Sequence, residues 1–179
     1  HDHTNSPKSG QPIHRIISSG HSEKLASLLV QDFNGRIIPL HTLCDQLLRK
    51  IYRNNHFKEY NAVQTILSMH MYPQYWVNQK IIQVPSVLQE SMRVGSYCSY
   101  TQLADQQGQF KWMTRYNNAH RRTESKRDEY DKKIIKLVEK FQVVQEIFNW
   151  QYMKIIPIPN NSSNTWYVPL STELMQQDS

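Results

Sequence analysis

The groups in this chain that could carry chemistry are eight histidines, two cysteines and fifteen carboxylates. Their spacing decides which reactions to expect. A zinc ion needs its Cys or His donors at short, characteristic intervals so that four of them reach one point. His14, His21, His41, His56, His70 and His120 show neither an HExxH pair nor a Cys/His zinc spacing. His70 falls on an apolar helical stripe, the setting of a hydrogen-bonded core histidine. His21 and His41 bracket a turn and are the two weak candidates for a metal. Cys44 and Cys98 form no CxxC, which excludes a thioredoxin-like redox pair, and no CxxCH, which excludes covalently attached haem. Cys44 lies on the apolar side of a helical segment and is expected to be a small buried hydrophobe. No GxSxG nucleophile motif and no glycine loop for phosphate is present. The carboxylates mostly sit beside Lys or Arg on helical stretches, so no acid–base pair stands out. No catalytic residue is expected, and the chain has the character of a binding module.

Charge and composition narrow the partners. The net charge of +6 invites a nucleic-acid partner. The basic residues are not arranged for one. In HRRTESKRDEYDKKIIKLVEK, Arg121, Arg122, Lys126 and Arg127 alternate with Glu124, Asp128, Glu129 and Asp131, the pattern of a solvated helical face. No nucleic-acid partner is therefore expected, while an anionic membrane surface remains compatible. The apolar runs are too short to cross a bilayer. The start, HDHTNSPKSGQP, is polar and bears Pro and Gly, so residues 1–20 are expected to be a flexible linker-like lead. Residues 21–170 form the expected domain and residues 171–179 a polar tail.

The elements that position these groups follow from periodicity. Ser22 is placed to cap a short helix to Leu28. Leu28 to Gln31 and Arg36 to Leu40 are short extended pieces, joined by Asp32-Phe33-Asn34-Gly35, where Asn-Gly suits two residues at positive φ. Pro39 confines the second piece to an edge. Thr42, with Asp45 three residues on, predicts an N-cap for a helix whose face is Leu43, Cys44, Leu47, Leu48, Ile51 and Tyr52. Asn61 caps the next helix, with a buried stripe of Ala62, Val63, Ile66, Leu67, His70 and Met71. Short helices are expected over 73–78, from Pro85 to Met92, over 101–107 and over 109–120. The longest runs from Ser125 to Phe148, with Lys132, Lys133, Lys136 and Lys140 on the outer face. Tyr152 to Ile158 and Thr165 to Leu170 are extended. The fold class is mainly α with a few short β-strands, in a single compact helical domain.

The stretch LLVQDFNGRIIPLHTLCDQLLRKIY carries a family likeness through His21, Val30, Gln31, Asp32, Gly35, Arg36, Pro39, Thr42, Leu43, Leu48, Arg49 and Lys50. Asn61-Ala62-Val63-Gln64, Trp76, Asp131 to Lys136, Ile156 to Pro159 and Asn164-Thr165-Trp166 extend it over about residues 20–170. In these residues the chain resembles the System II cytochrome c biogenesis proteins of the fused ResB–ResC (CcsB–CcsA) type, in their large loop outside the cytoplasmic membrane. The match is partial at Gln145 to Asn149, and Cys98 has no counterpart in it.

The resemblance implies a periplasmic domain of a membrane cytochrome c maturation protein, a cytochrome c haem-lyase or synthase that delivers haem and attaches it to apocytochrome. The family's haem-handling parts, membrane histidines and a tryptophan-rich loop, have no match in this sequence. The domain is therefore expected to hold no cofactor, with haem implied for the parent protein. Its expected partners are apocytochrome c and a thiol-reducing protein, held near the membrane by flanking segments. Gln31, Asp32, Gly35, Arg36, Pro39 and Thr42 are the candidate interaction residues, because a defined loop on a rigid helix is a common way to build a contact site. The structural alternative is that Gly35 serves positive φ and that Asp32 and Arg36 pair to close the turn. An independent periplasmic haem- or metal-binding protein is the other function the histidines suggest.

Overall fold

The computed structural model describes residues 15–32 and 34–149, together with the backbone of two short strands beyond them. Among the described residues the chain is mainly α-helical, with short strands that pair two by two, each pair antiparallel. The first helix, α1 (Ser19–Ala26), is capped by Ser18, whose Oγ accepts the N–H of His21. Ser22, the expected cap, lies buried inside it and donates its hydroxyl to the Ser19 carbonyl at 2.8 Å.

A hairpin of β1 (Leu29–Gln31) and β2 (Ile37–Pro39) then leads without a break into α2 (Leu40–Tyr52). Helix α2 starts three residues earlier than the Thr42 cap predicts. The N–H of Leu40 donates to the Leu28 carbonyl at 2.7 Å, so the approaching strand satisfies the first free donor of the helix. Pro39 occupies the cap position with φ −62° and ψ 145° and no side-chain cap bond. The expected face is buried except for the half-buried Tyr52, with Leu40 added to Leu43, Cys44, Leu47, Leu48 and Ile51. The helix ends at Arg53, which takes the left-handed conformation (φ 66°) usually left to glycine.

The short hairpin β3 (His56–Phe57) and β4 (Tyr60–Asn61) feeds α3 (Ala62–Met71). Asn61 caps it as expected, and Gln64 extends the cap to a capping box, its side chain accepting the Asn61 N–H at 3.2 Å. Instead of one buried stripe, every residue from Ala62 to His70 is buried. Polar positions on the enclosed side are met by the chain ahead of α1. Ser68 Oγ accepts the Ile17 N–H at 3.0 Å, and Gln64 Nε2 donates to the Ile17 carbonyl at 3.2 Å. Thr65 turns its hydroxyl back to the Asn61 carbonyl at 2.9 Å.

Helix α4 (Pro73–Trp76) is a single turn that buries Trp76, and the Trp76 indole donates to the Arg15 carbonyl at 3.2 Å. Strand β5 (Ile82–Gln83) pairs with β6 (Tyr97–Cys98) across α5 (Ser86–Met92). Helix α6 (Tyr100–Leu103) is shorter than its 101–107 prediction, and α7 (Met113–Arg121) starts later than 109. Between them Asp105 to Gln109 form a tight loop. The long helix α8 (Glu129–Phe148) packs against α2, α3, α5 and α7. Its cap is Asp128, in a capping box with Asp131, while Ser125 lies in a preceding 3-10 turn.

The mixed-charge run ahead of α8 is structural in part. Arg127 donates to the carbonyls of Ala119, His120 and Arg122 and so closes the end of α7. Arg122 pairs with the buried Asp131 at 2.6 Å. Cys44 and Cys98 are buried free thiols, and burial pushes both above the ordinary thiol range, Cys98 to about 12. Beyond Asn149, β7 (Ile156–Pro157) pairs with β8 (Trp166–Tyr167) as the extended pieces predict. The remainder of those pieces, His14, Trp150 and the expected tail lie outside the described residues.

Candidate functional site

The β1–β2 hairpin is built on one carboxylate. Val30 faces Ile38, with Val30 buried, while Leu29 with Pro39 and Gln31 with Ile37 pair on the other face. The loop closes through Asp32 N–H to the Arg36 carbonyl (2.8 Å) and Gly35 N–H to the Asp32 carbonyl (3.0 Å). This is the pattern of a three-residue hairpin loop with glycine in the left-handed position, and Gly35 takes φ +77°. It differs from the two-residue loop that Asn-Gly alone suggests. The extra position lets the Asp32 side chain turn inward. Asp32 Oδ1 accepts the N–H of Asn34 at 2.9 Å and of Arg36 at 2.8 Å, and Oδ2 accepts Arg36 Nε at 2.9 Å. Burial by itself pushes this carboxyl up. The Arg36 N–H, the Arg36 guanidinium and the Asn34 N–H outweigh it and hold the group below its ordinary value. Gln31 completes the loop by donating to the Gly35 carbonyl at 3.2 Å.

The same loop occurs a second time. Asp105 N–H donates to the Gln109 carbonyl at 2.7 Å, and Gly108 N–H donates to the Asp105 carbonyl at 3.1 Å. Asp105 Oδ1 accepts the N–H of Gln107 at 2.9 Å and of Gln109 at 2.8 Å, and Gly108 takes φ +76°. Here too a glutamine amide, that of Gln145, donates to the glycine carbonyl, at 2.7 Å. The signal D-x-x-G appears at both places in the sequence. The loop is thus a general folding device of this chain, and most of the Asp32 bonding belongs to that device.

What distinguishes the first loop is its surface. Leu29 and Ile37 are 57% and 50% exposed, two of the few large apolar side chains in that state. They stand on one face of the hairpin with Gln31 and Pro39, and the Arg36 side chain, 64% exposed, lies at its tip. Thr42 is half-buried in the first turn of α2, apart from this face in role. Of the expected interaction residues, Gln31, Asp32, Gly35 and Arg36 form one bonded unit, Pro39 joins it to α2, and Thr42 belongs to the helix. Leu29 and Ile37 were not marked by sequence. Their period-two placement around an Asp-Gly loop was the available signal.

His21 and His41 have separate partners. His21 Nδ1 meets Ser18 Oγ at 2.9 Å, and His41 Nδ1 meets the Ala26 carbonyl at 3.0 Å. Among the described residues no three His, Cys, Asp or Glu side chains gather where they could hold a metal ion. His41 and Asp45 border a cleft of ≈ 210 Å³ beside α1 and α3. This is below the usual range for small-molecule sites, roughly 300–1,000 Å³, and too small for a haem. A larger cleft beside α8, of ≈ 370 Å³, is lined by lysines and has no histidine to ligate iron. Neither cleft fits a haem. No helix among the described residues is long and apolar enough to cross a membrane.

No protein-family profile matches the chain. It is similar to protein NrfI of Wolinella succinogenes. The two are 25% identical over 156 residues, which cover 86% of this chain and 17% of that protein. The chain therefore spans less than a fifth of the relative's length.

Proposed function

We propose that this chain is a domain of a cytochrome c maturation protein and that its work is to hold a partner polypeptide. The resemblance of its motif residues to the System II proteins supports the first part. The similarity to protein NrfI, over most of this chain and a small share of the other, points the same way. In this reading the domain stands on the periplasmic side of the cytoplasmic membrane, tied to it by flanking segments. Apocytochrome c is the partner, a thiol-reducing protein a second one, and haem attachment belongs to other parts of the parent.

The observation that carries the binding role is the outer face of the β1–β2 hairpin. Exposing Leu29 and Ile37 on a two-stranded edge leaves apolar area and unpaired backbone groups in water. Folded chains ordinarily blunt such an edge. An extended partner segment laid beside it gains both the apolar contact and the backbone hydrogen bonds. The inner bonding of Asp32 keeps the edge in shape without any partner, so little ordering is lost on contact.

The test uses the full-length gene product carrying Leu29→Asp and Ile37→Asp. The expected result is normal accumulation of the protein, loss of apocytochrome co-purification and a fall in holocytochrome c. Undiminished co-purification and holocytochrome with the double variant would overturn the reading. Haem titration of the 179-residue chain separates the histidine-based alternative, since a saturable Soret shift would favour it.

A further inference from the structure

A second candidate site lies beside α8. Lys133, Lys136 and Lys140 recur at three and four residues on α8 and were expected on a solvated face. Lys136 is exposed as expected and Lys133 half-buried, while Lys140 is buried, and all three line the ≈ 370 Å³ cleft together with Arg53 at the end of α2 and Gln83 of β5. We propose that this cleft binds a phosphate-type dianion.

Four cations meet there with a single carboxylate, Glu129, which is spread toward Lys133 at 3.5 Å and largely exposed. Arg53, Lys136 and Lys140 have no carboxylate partner among the described residues. Lys140 is the unusual member, because its side chain is buried and its ammonium donates to neutral oxygens only. These are the Gln83 carbonyl at 3.0 Å and Gln83 Oε1 at 2.6 Å. An ammonium has three donors, so one remains for an acceptor in the cleft. Burying a charge without a counterion is costly, and the surrounding like charges add to the cost. Burial, then Arg53, Lys133 and Lys136, push Lys140 down to about 8. A dianion seated among these groups removes that penalty. It offers acceptors in several directions, which suits three compact ammonium groups and one guanidinium fork. The left-handed φ of Arg53 carries a conformational cost for a side chain that faces this cleft. The volume leaves room for a small organic group on the phosphate, so the source is a soluble phosphate ester or a lipid headgroup.

The experiment uses the whole chain and inorganic phosphate as the probe, with chloride at matched ionic strength as the control. Phosphate is expected to raise the thermal midpoint and to bind saturably. Lys136→Gln and Arg53→Gln, which touch no core contact, are expected to weaken it about tenfold each. Phosphatidic acid in phosphatidylcholine vesicles is the second arm. Cosedimentation lost in the same variants assigns the headgroup source, and phosphate binding without cosedimentation assigns a soluble ester. Equal effects of chloride, undiminished binding by both variants, or tighter binding of succinate than of phosphate would overturn the proposal.

Discussion

Asp32 and Arg36 hold each other twice. The Arg36 backbone N–H reaches Asp32 Oδ1 at 2.8 Å, and the Arg36 side chain reaches Oδ2 at 2.9 Å. One carboxylate thus sets both the path of the chain and the direction of an exposed guanidinium.

Asp32→Asn keeps the size of the side chain and removes the charge that these donors favour. Amide exchange at Asn34 and Arg36 is expected to accelerate, and the thermal midpoint to fall by a few degrees at neutral pH. The difference from the parent chain should shrink in acid. The folded carboxyl sits below its ordinary value, so its contribution is present above that value and is lost as pH falls through the folded pKa. A thermal scan of both chains across the acid range reads this out.

Gly35→Ala isolates backbone cost from packing. The new methyl would lie 3.6 Å from Gln31 Nε2, an ordinary contact, so the left-handed φ of +77° is the main term. A loss of about 1 kcal/mol is expected in urea denaturation, with Gly35→Asn milder because asparagine tolerates this region.

His70 makes stability fall in mild acid. It is buried in α3, and burial pushes it down to about 3. The unfolded chain takes up this proton near 6.5, so the folded state is favoured above that value and loses ground from there down to about 3. The slope approaches about 1.4 kcal/mol per pH unit. Denaturation midpoints measured between these limits should decline in the parent chain and flatten in His70→Gln.

Lys140 produces a trend of the same sign in the alkaline range. Its folded value of about 8 lies below the ordinary 10.5, so the unfolded chain holds more protons between the two and stability rises with pH there. Arg53, Lys133 and Lys136 favour the neutral amine, while Cys98 opposes them. The buried thiols Cys44 and Cys98 oppose the rise from their ordinary value of 9.0 upward, because burial holds both protonated in the folded chain, so Lys140→Met should abolish the rise just above pH 8 and steepen the fall beyond 9. Saturating phosphate should reduce the rise, because a bound dianion favours the ammonium, and urea curves over this range test both points.

The fold was legible where a signal stands alone and local. Asn61 with Gln64 marks its helix start in the letters themselves, and the structure uses it. Thr42 with Asp45 looks as good and is not used, because the helix has already begun at Leu40, whose N–H is met by the carbonyl of Leu28 just ahead of β1. That bond joins residues twelve apart, and nothing in the local pattern announces it. The long helix begins at Glu129 and not at Ser125, because Arg127 holds the chain ahead of it against the end of α7 and Asp128 supplies the cap. The candidate hairpin was legible as a turn, and its Asp32–Arg36 pair as a structural option. Leu29 and Ile37 were not, because exposure of an apolar residue depends on which strand face the core takes. The lysine cleft was least legible of all. Helical spacing placed Lys140 with its charged neighbours, but only the arrival of Gln83 from another element closes the space over it.

The bonds ahead of α1 have a mechanical consequence. The Arg15 carbonyl is gripped by the Trp76 indole, and Ile17 is gripped by Ser68 and Gln64. Both grips belong to the most enclosed part of the molecule, α3 and the turn that follows it. Tension applied along the backbone at residue 15 is therefore delivered to the centre before it reaches α1 or the hairpin. A load at residue 15 is thus met by three side-chain bonds before it reaches the hairpin edge.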